Sequence, residues 1–186
     1  GKMPENPAVV STIVSTLMIK KVCADNNIDY YDVLTGFKYI GEKIAQFENT
    51  GCNSFLLGFE ESFGYLKGTY ARDKDAVLAS MLITQMAMCY KNKGMNLKQA
   101  MDELYKKYGY FAEKTVSFKI TDSVPMQKVA TIMNSLREDE TSSIAGTHIK
   151  AVRDYKSGII KDFSSGDISK TNLPVSDVLY YELSDG

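Results

Sequence analysis

The chain has 186 residues, 44% hydrophobic and 24% charged, with 22 basic against 23 acidic side chains and a net charge of −1. That length suits one full domain and part of a second, and the composition excludes disorder throughout. The near-neutral balance lacks the basic excess that grips nucleic-acid phosphates, and no apolar run approaches the ~20 residues that span a bilayer, so neither nucleic acid nor membrane is an expected partner.

Three cysteines, Cys23, Cys52 and Cys89, lie far apart without a CxxC pair, which suits a reducing compartment. Residues 1–7 carry no signal-peptide apolar segment, so the expected location is the cytoplasm. The single imidazole, His148, cannot supply a His/Cys metal cluster, and its alternating surroundings predict a half-exposed strand position.

In chain order, the β-branched run Ala8–Val14 predicts a buried strand, and Leu17–Cys23 turns helical. Tyr30–Leu34 reads as a second strand. Thr35-Gly36 breaks it before Phe37, Ile40, Ile44 and Phe47, which share one helix face. A third strand, Phe55–Leu57, leads into a Gly-containing polar loop, Gly58–Gly64, with a basic continuation to Lys74. Chemistry is expected on that loop.

From Asp75 to Lys93 the apolar band of Val77, Leu78, Met81, Leu82, Met86, Met88 and Cys89 is wide enough to predict a central core helix, the most buried element, with Leu78 and Leu82 inside. Gly94 ends it, and a second amphipathic helix runs from Leu97 to Tyr108 and stops at Gly109. Beyond, the pattern changes to a strand at Val116–Ile120, a helix at Val124–Leu136, a strand at Thr147–Val152, an exposed or mobile connection at Ser157–Asn172 and a last strand at Val178–Leu183, closing in a turn at Asp185-Gly186. The reading is an α/β domain over residues 1–110, its mixed β-sheet flanked by helices, and a partial α+β lobe over 111–186.

On residue chemistry alone, Glu60, Glu61 and Ser62 after a strand, followed by Arg72 and Lys74, suit a polyhydroxylated, phosphorylated ligand: carboxylates accept charge-assisted hydrogen bonds from hydroxyls and cations complement phosphate. A solvated charged turn has the same composition.

Three segments in order, Thr35-Gly36-Phe37-Lys38-Tyr39-Ile40-Gly41, Gly58-Phe59-Glu60-Glu61-Ser62-Phe63-Gly64 and Arg72-Asp73-Lys74-Asp75, resemble the third domain of the α-D-phosphohexomutases, in the phosphoglucomutase-like branch. The resemblance runs from about Pro4 to Gly186 and is strongest through Lys74. It implies a parent enzyme that moves phosphate between C1 and C6 of a hexose through a phosphoserine and a sugar bisphosphate, using Mg²⁺ and glucose 1,6-bisphosphate. It also implies a first domain with the phosphoserine, a second with an Asp-rich Mg²⁺ loop and a fourth with an Arg-Ser-Gly-Thr phosphate loop, none of which occurs in these 186 residues. The chain is therefore expected to be a fragment, stopping just before the fourth-domain loop, inactive alone and binding no cofactor, with the missing domains of the same polypeptide as partners.

Matched position by position, the resemblance gives Glu60 and Ser62 the sugar O3 and O4 hydroxyls, Thr35 and Gly36 a second substrate-lining turn, and Lys74 and Arg72 a basic face toward the substrate. Glu61 matches a variable position. No catalytic or metal-binding residue is expected here. Hexose and pentose phosphates remain open as substrates, so phosphomannomutase and phosphopentomutase stand beside phosphoglucomutase. The reading from another class is a non-catalytic phosphosugar-binding or interaction module.

Overall fold

A computed structural model of the chain describes residues 3–121, 125–139 and 141–184. The expected helix start at Val124 and the turn at Asp185-Gly186 lie outside these residues. The chain divides into two compact units, Gly1–Lys114 and Thr115–Gly186.

In the first unit the order is β1 (Pro7–Thr12), α1 (Met18–Asp25), β2 (Asp29–Val33), α2 (Phe37–Thr50), β3 (Ser54–Glu60), β4 (Gly64–Leu66), α3 (Ala76–Asn92) and α4 (Leu97–Tyr108). The sheet runs β2-β1-β3-β4. β1 is parallel to β2 and β3, and β4 returns antiparallel to β3, so the sheet is mixed and flanked by helices, as expected. Ala8 and Val10 join Phe37, Ile40, Ile44 and Phe47 of α2, with Val33, Phe55 and Leu66, in one buried cluster. Val9, on the opposite face by strand alternation, is only 3% exposed. β1 is thus covered on both faces, which is why its sequence reads as a continuous apolar run.

Helix ends follow local chemistry. The Asp75 carboxylate accepts from the Leu78 N–H at 2.9 Å to cap α3. Asn96 and Gln99 form a reciprocal capping box at the start of α4, and Gly109 closes it.

The second unit comprises α5 (Pro125–Glu138), β5 (Ser143–Ile144), β6 (Thr147–Asp154), β7 (Ile159–Asp162), β8 (Ile168–Lys170) and β9 (Leu179–Leu183). Its antiparallel sheet runs β5-β6-β7-β8, with β9 on the other side of β6. Arg137 at the end of α5 donates to Asp154 on β6 at 3.1 Å and pairs with Asp177.

Four expectations need correction. No residue of α3 is buried; Leu78 and Leu82 are half-buried and Val77 is 82% exposed, because within this unit α3 rests mainly on β4 and α4. The most enclosed elements are β1 and α2. Gly58, Phe59 and Glu60 belong to strand β3, leaving only Glu61-Ser62-Phe63 as the turn into β4, because β4 supplies an antiparallel partner with Glu60 opposite Gly64. Val116–Ile120 forms no strand: its alternation finds no partner among the described residues, and Val116 and Phe118 are 58% and 88% exposed. The connection at Ser157–Asn172 folds as a hairpin of β7 and β8, whose pairing satisfies backbone groups that its polar composition concealed, although residues 163–170 are exposed. His148 does lie in a strand, β6, with its side chain exposed.

Candidate functional site

Register sets the site. Thr12 pairs with Val33, and Ser11 pairs with Phe59, so the ends of β2, β1 and β3 form one row, Val33, Thr12 and Glu60. Carboxyl-terminal edges of parallel strands are where open α/β sheets bind ligands. The turn at Thr35-Gly36 leaves this edge from β2, and Glu61-Ser62-Phe63 leaves it from β3. With strands ~4.8 Å apart, the two turns stand about 10 Å from each other across β1.

Glu60 is the anchor of the hairpin, its side chain 3% exposed against 45% for its ion-pair partner Lys74. Ser62 Oγ donates to the same carboxylate oxygen, Oε1, at 3.0 Å. Lys74 reaches Glu60 because the Asp75 N–H donates to the Tyr65 carbonyl at 2.8 Å, seating the start of α3 on β4. The hydrogen bond to Glu60 is the main reason the Lys74 ammonium holds its proton above the usual lysine range. Gly64 must lack a side chain: a Cβ there would stand 2.7 Å from Glu60 Cγ. Gly36, at φ 120°, occupies backbone space that side-chain-bearing residues avoid, which opens the turn in front of α2.

The structure therefore brings Glu60, Ser62 and Lys74 into direct contact and puts Thr35, exposed, and Gly36 on the same sheet edge. Arg72 is engaged elsewhere. Its guanidinium pairs with Glu48 on α2 and donates to the Thr69 and Ala71 carbonyls at 2.5 and 3.2 Å.

Sequence reasoning passed over Thr12 and Ser15. Both are buried, 1% and 8% exposed, and their hydroxyls lie 2.9 Å apart. Thr12 Oγ1 donates to Glu61 Oε2 at 2.8 Å, so the supposedly variable Glu61 is tied to the end of β1. The readable signal was a set of hydroxyl residues where a buried strand reaches the carboxyl edge of the sheet.

Among the described residues no group of three or more His, Cys, Asp or Glu side chains is placed to hold a metal, so these residues do not fit the Mg²⁺ that the resemblance implies for the parent. No helix among them is long and apolar enough to cross a membrane. A cleft of about 860 Å³ lies in the second unit, lined by Arg137, His148, Phe163 and Tyr181 among others, but none of the hairpin residues lines it. Its Arg137 is already held by two carboxylates.

A mixed sheet whose parallel strands gather a carboxylate, a hydroxyl and a lysine at their carboxyl edge defines an α/β domain of the open-sheet class. The chain belongs to the phosphoglucomutase/phosphomannomutase family, whose alpha/beta/alpha domain III matches residues 1–108. It is 28% identical to a phosphoglucomutase of Staphylococcus saprophyticus and 31% identical to one of Staphylococcus aureus, each over 178 residues, 96% of this chain and 32% of the relative. The chain thus spans about a third of the length of these curated relatives. Its fold is similar to that of the open form of parafusin, a phosphoglucomutase from Paramecium, with a TM-score of 0.58 and 17% identity, covering 96% of this chain and 29% of that one.

Proposed function

We propose that the β3–β4 hairpin is the sugar-recognition element of a phosphosugar mutase of the glucose 1-phosphate to glucose 6-phosphate type. In this reading the chain supplies a third domain and an incomplete fourth to a longer cytoplasmic enzyme. The observation that carries the proposal is the Glu60 carboxylate, buried at the sheet edge with Ser62 and Lys74 both on Oε1. Its second oxygen is the acceptor for sugar hydroxyls, a charge-assisted bond roughly twice as strong as a neutral one. Because Glu60 is so little exposed, a sugar reaches it as Lys74 swings aside, which turns that ammonium toward the anionic part of the substrate. Thr35 and Gly36 face the ligand from the β2 side, where the missing Cβ permits close backbone approach. Arg72, committed to Glu48, acts as a strut on α2.

Mg²⁺ and the bisphosphate belong to other domains of the parent, as does the phosphoserine; phosphoryl transfer depends on positioning those groups, so the chain alone folds without catalysing. Three free cysteines, Cys23 buried and Cys52 and Cys89 exposed, agree with a cytoplasmic setting.

Titration of the chain with glucose 1-phosphate, followed by amide NMR, tests the reading. Shifts should concentrate at Glu60, Ser62 and Gly64 with a Kd weaker than about 1 mM, since a few hydroxyl contacts must offset the cost of immobilising the ligand. Micromolar affinity, or turnover by the chain alone, would overturn it. In the longer parent, Glu60→Ala should lower kcat/KM by roughly 10- to 150-fold, about 1.5 to 3 kcal/mol; an unchanged kcat/KM with a normal melting curve would sink the assignment.

A further inference from the structure

We infer that Thr12, backed by Ser15, is a positioning residue for the hairpin tip and acts through Glu61. The inference rests on the reading of this tip as the recognition element, and it gives a role to a carboxylate and two hydroxyls that this reading leaves unused.

The geometry is a relay of donors. Thr12 has one hydroxyl proton and gives it to Glu61 Oε2 at 2.8 Å. In the Thr12–Ser15 contact of 2.9 Å the donor must then be Ser15, so the order is Ser15 to Thr12 to Glu61. Thr12 and Ser15 are buried, and a buried hydroxyl without a partner is costly, so each link favours the next. The Ser15 N–H also donates to the Thr12 carbonyl at 3.0 Å, which folds Ser15 back beneath Thr12.

Glu60 is the last residue of β3 and Glu61 the first of the turn, and their carboxylates are held by different parts of the fold. Lys74 and Ser62 hold Glu60; Thr12 holds Glu61. The Thr12 bond ties the first residue of the turn to the end of β1, so the tip is held to the parallel part of the sheet as well as to the start of α3, which sets where Glu60 and Ser62 present their oxygens. The tip needs this help: Phe63 sits at φ 60°, a left-handed conformation uncommon for a bulky residue, and its ring is 91% exposed, so packing of that ring does not hold the turn.

The test is a double-mutant cycle on the 186-residue chain. Thr12→Val, Thr12→Ser, Glu61→Ala and the pair Thr12→Val with Glu61→Ala are compared by amide hydrogen exchange at Glu60 and Gly64, the pair that closes the tip, with the amides of α2 as internal reference. Thr12→Val and Glu61→Ala should each speed tip exchange about tenfold. The double variant should be no faster than either single one, because both remove the same bond. Thr12→Ser, which keeps the hydroxyl, should restore protection. Additive effects, tip exchange within twofold of the parent chain in Glu61→Ala, or a Thr12→Ser variant as fast as Thr12→Val would overturn the assignment. Glu61 lies on the exposed tip, so its variant keeps the test decisive even if Thr12→Val unfolds the chain. No ligand enters this measurement. A chain that shows coupled exchange but no shifts with glucose 1-phosphate would sink the sugar reading while leaving the tether standing, and the reverse result would do the opposite.

Discussion

Helices α2 and α3 lie in the same unit and have opposite fates. α2 carries a narrow stripe, Phe37, Ile40, Ile44 and Phe47, and all four are buried against β1 and β3. α3 is richer in apolar residues, yet none is buried, and Met81, Ile83, Met86 and Met88 are exposed. The difference teaches that apolar content measures how much a helix would gain from cover, whereas burial depends on which surface it meets. α2 meets the centre of the sheet. α3 rests mainly on β4, a three-residue edge strand, and on α4.

Truncations on the two helices should sharpen that contrast. Ile44, 0% exposed, belongs to the buried cluster of the core, so Ile44→Ala should destabilise by about 2 to 5 kcal/mol through lost transfer energy and a residual cavity. Leu82 on α3 is half-buried, and Leu82→Ala should cost about 1 kcal/mol, since its site opens to solvent rather than leaving a void. Chemical denaturation of both variants checks this; equal losses would break the comparison.

A pH effect smaller than either truncation should appear at the start of α3. The hydrogen bond from Tyr70, then that from the Leu78 N–H, holds the Asp75 carboxyl below the usual carboxylate range. A group with a lowered folded-state pKa contributes stability that is present above its unfolded value and is lost as the pH falls through the folded value. Asp75→Asn keeps a capping side chain but cannot titrate. The wild-type advantage over Asp75→Asn in thermal melts should therefore be full at neutral pH and fade as the pH falls through and below the ordinary carboxylate range. A constant difference across that window would remove Asp75 from the account.

The smallest effect is expected on the open face of α3. Val77 is 82% exposed, so Val77→Lys should change stability by no more than about 0.5 kcal/mol in denaturant unfolding. A large loss would show that α3 is covered after all, and the contrast with α2 would fall.

Much of the candidate site was legible. Glu60, Ser62 and Lys74 were picked out by residue type and motif, and they are in contact. Arg72 was grouped with them as a cation suited to phosphate in the matching segment, and its partner Glu48 is 24 residues away in sequence, a distance at which spacing carries no information. The link from Thr12 to Glu61 spans 49 residues and was invisible for the same reason.

What the sequence by itself determined is local. Turns at Thr35-Gly36, caps at Asp75 and Asn96 and the run of β1 depend on neighbours within a few residues, and the α/β order of the first unit follows from them. The tertiary structure decided the rest: that Glu60 is enclosed while Glu61 reaches back to β1, that α3 stays open, that Val116–Ile120 pairs with nothing among the described residues and that β7 and β8 find each other. Hydrophobic period and hydrogen-bonding potential state what a segment needs, and only the meeting of segments distant along the chain settles which of those needs is met.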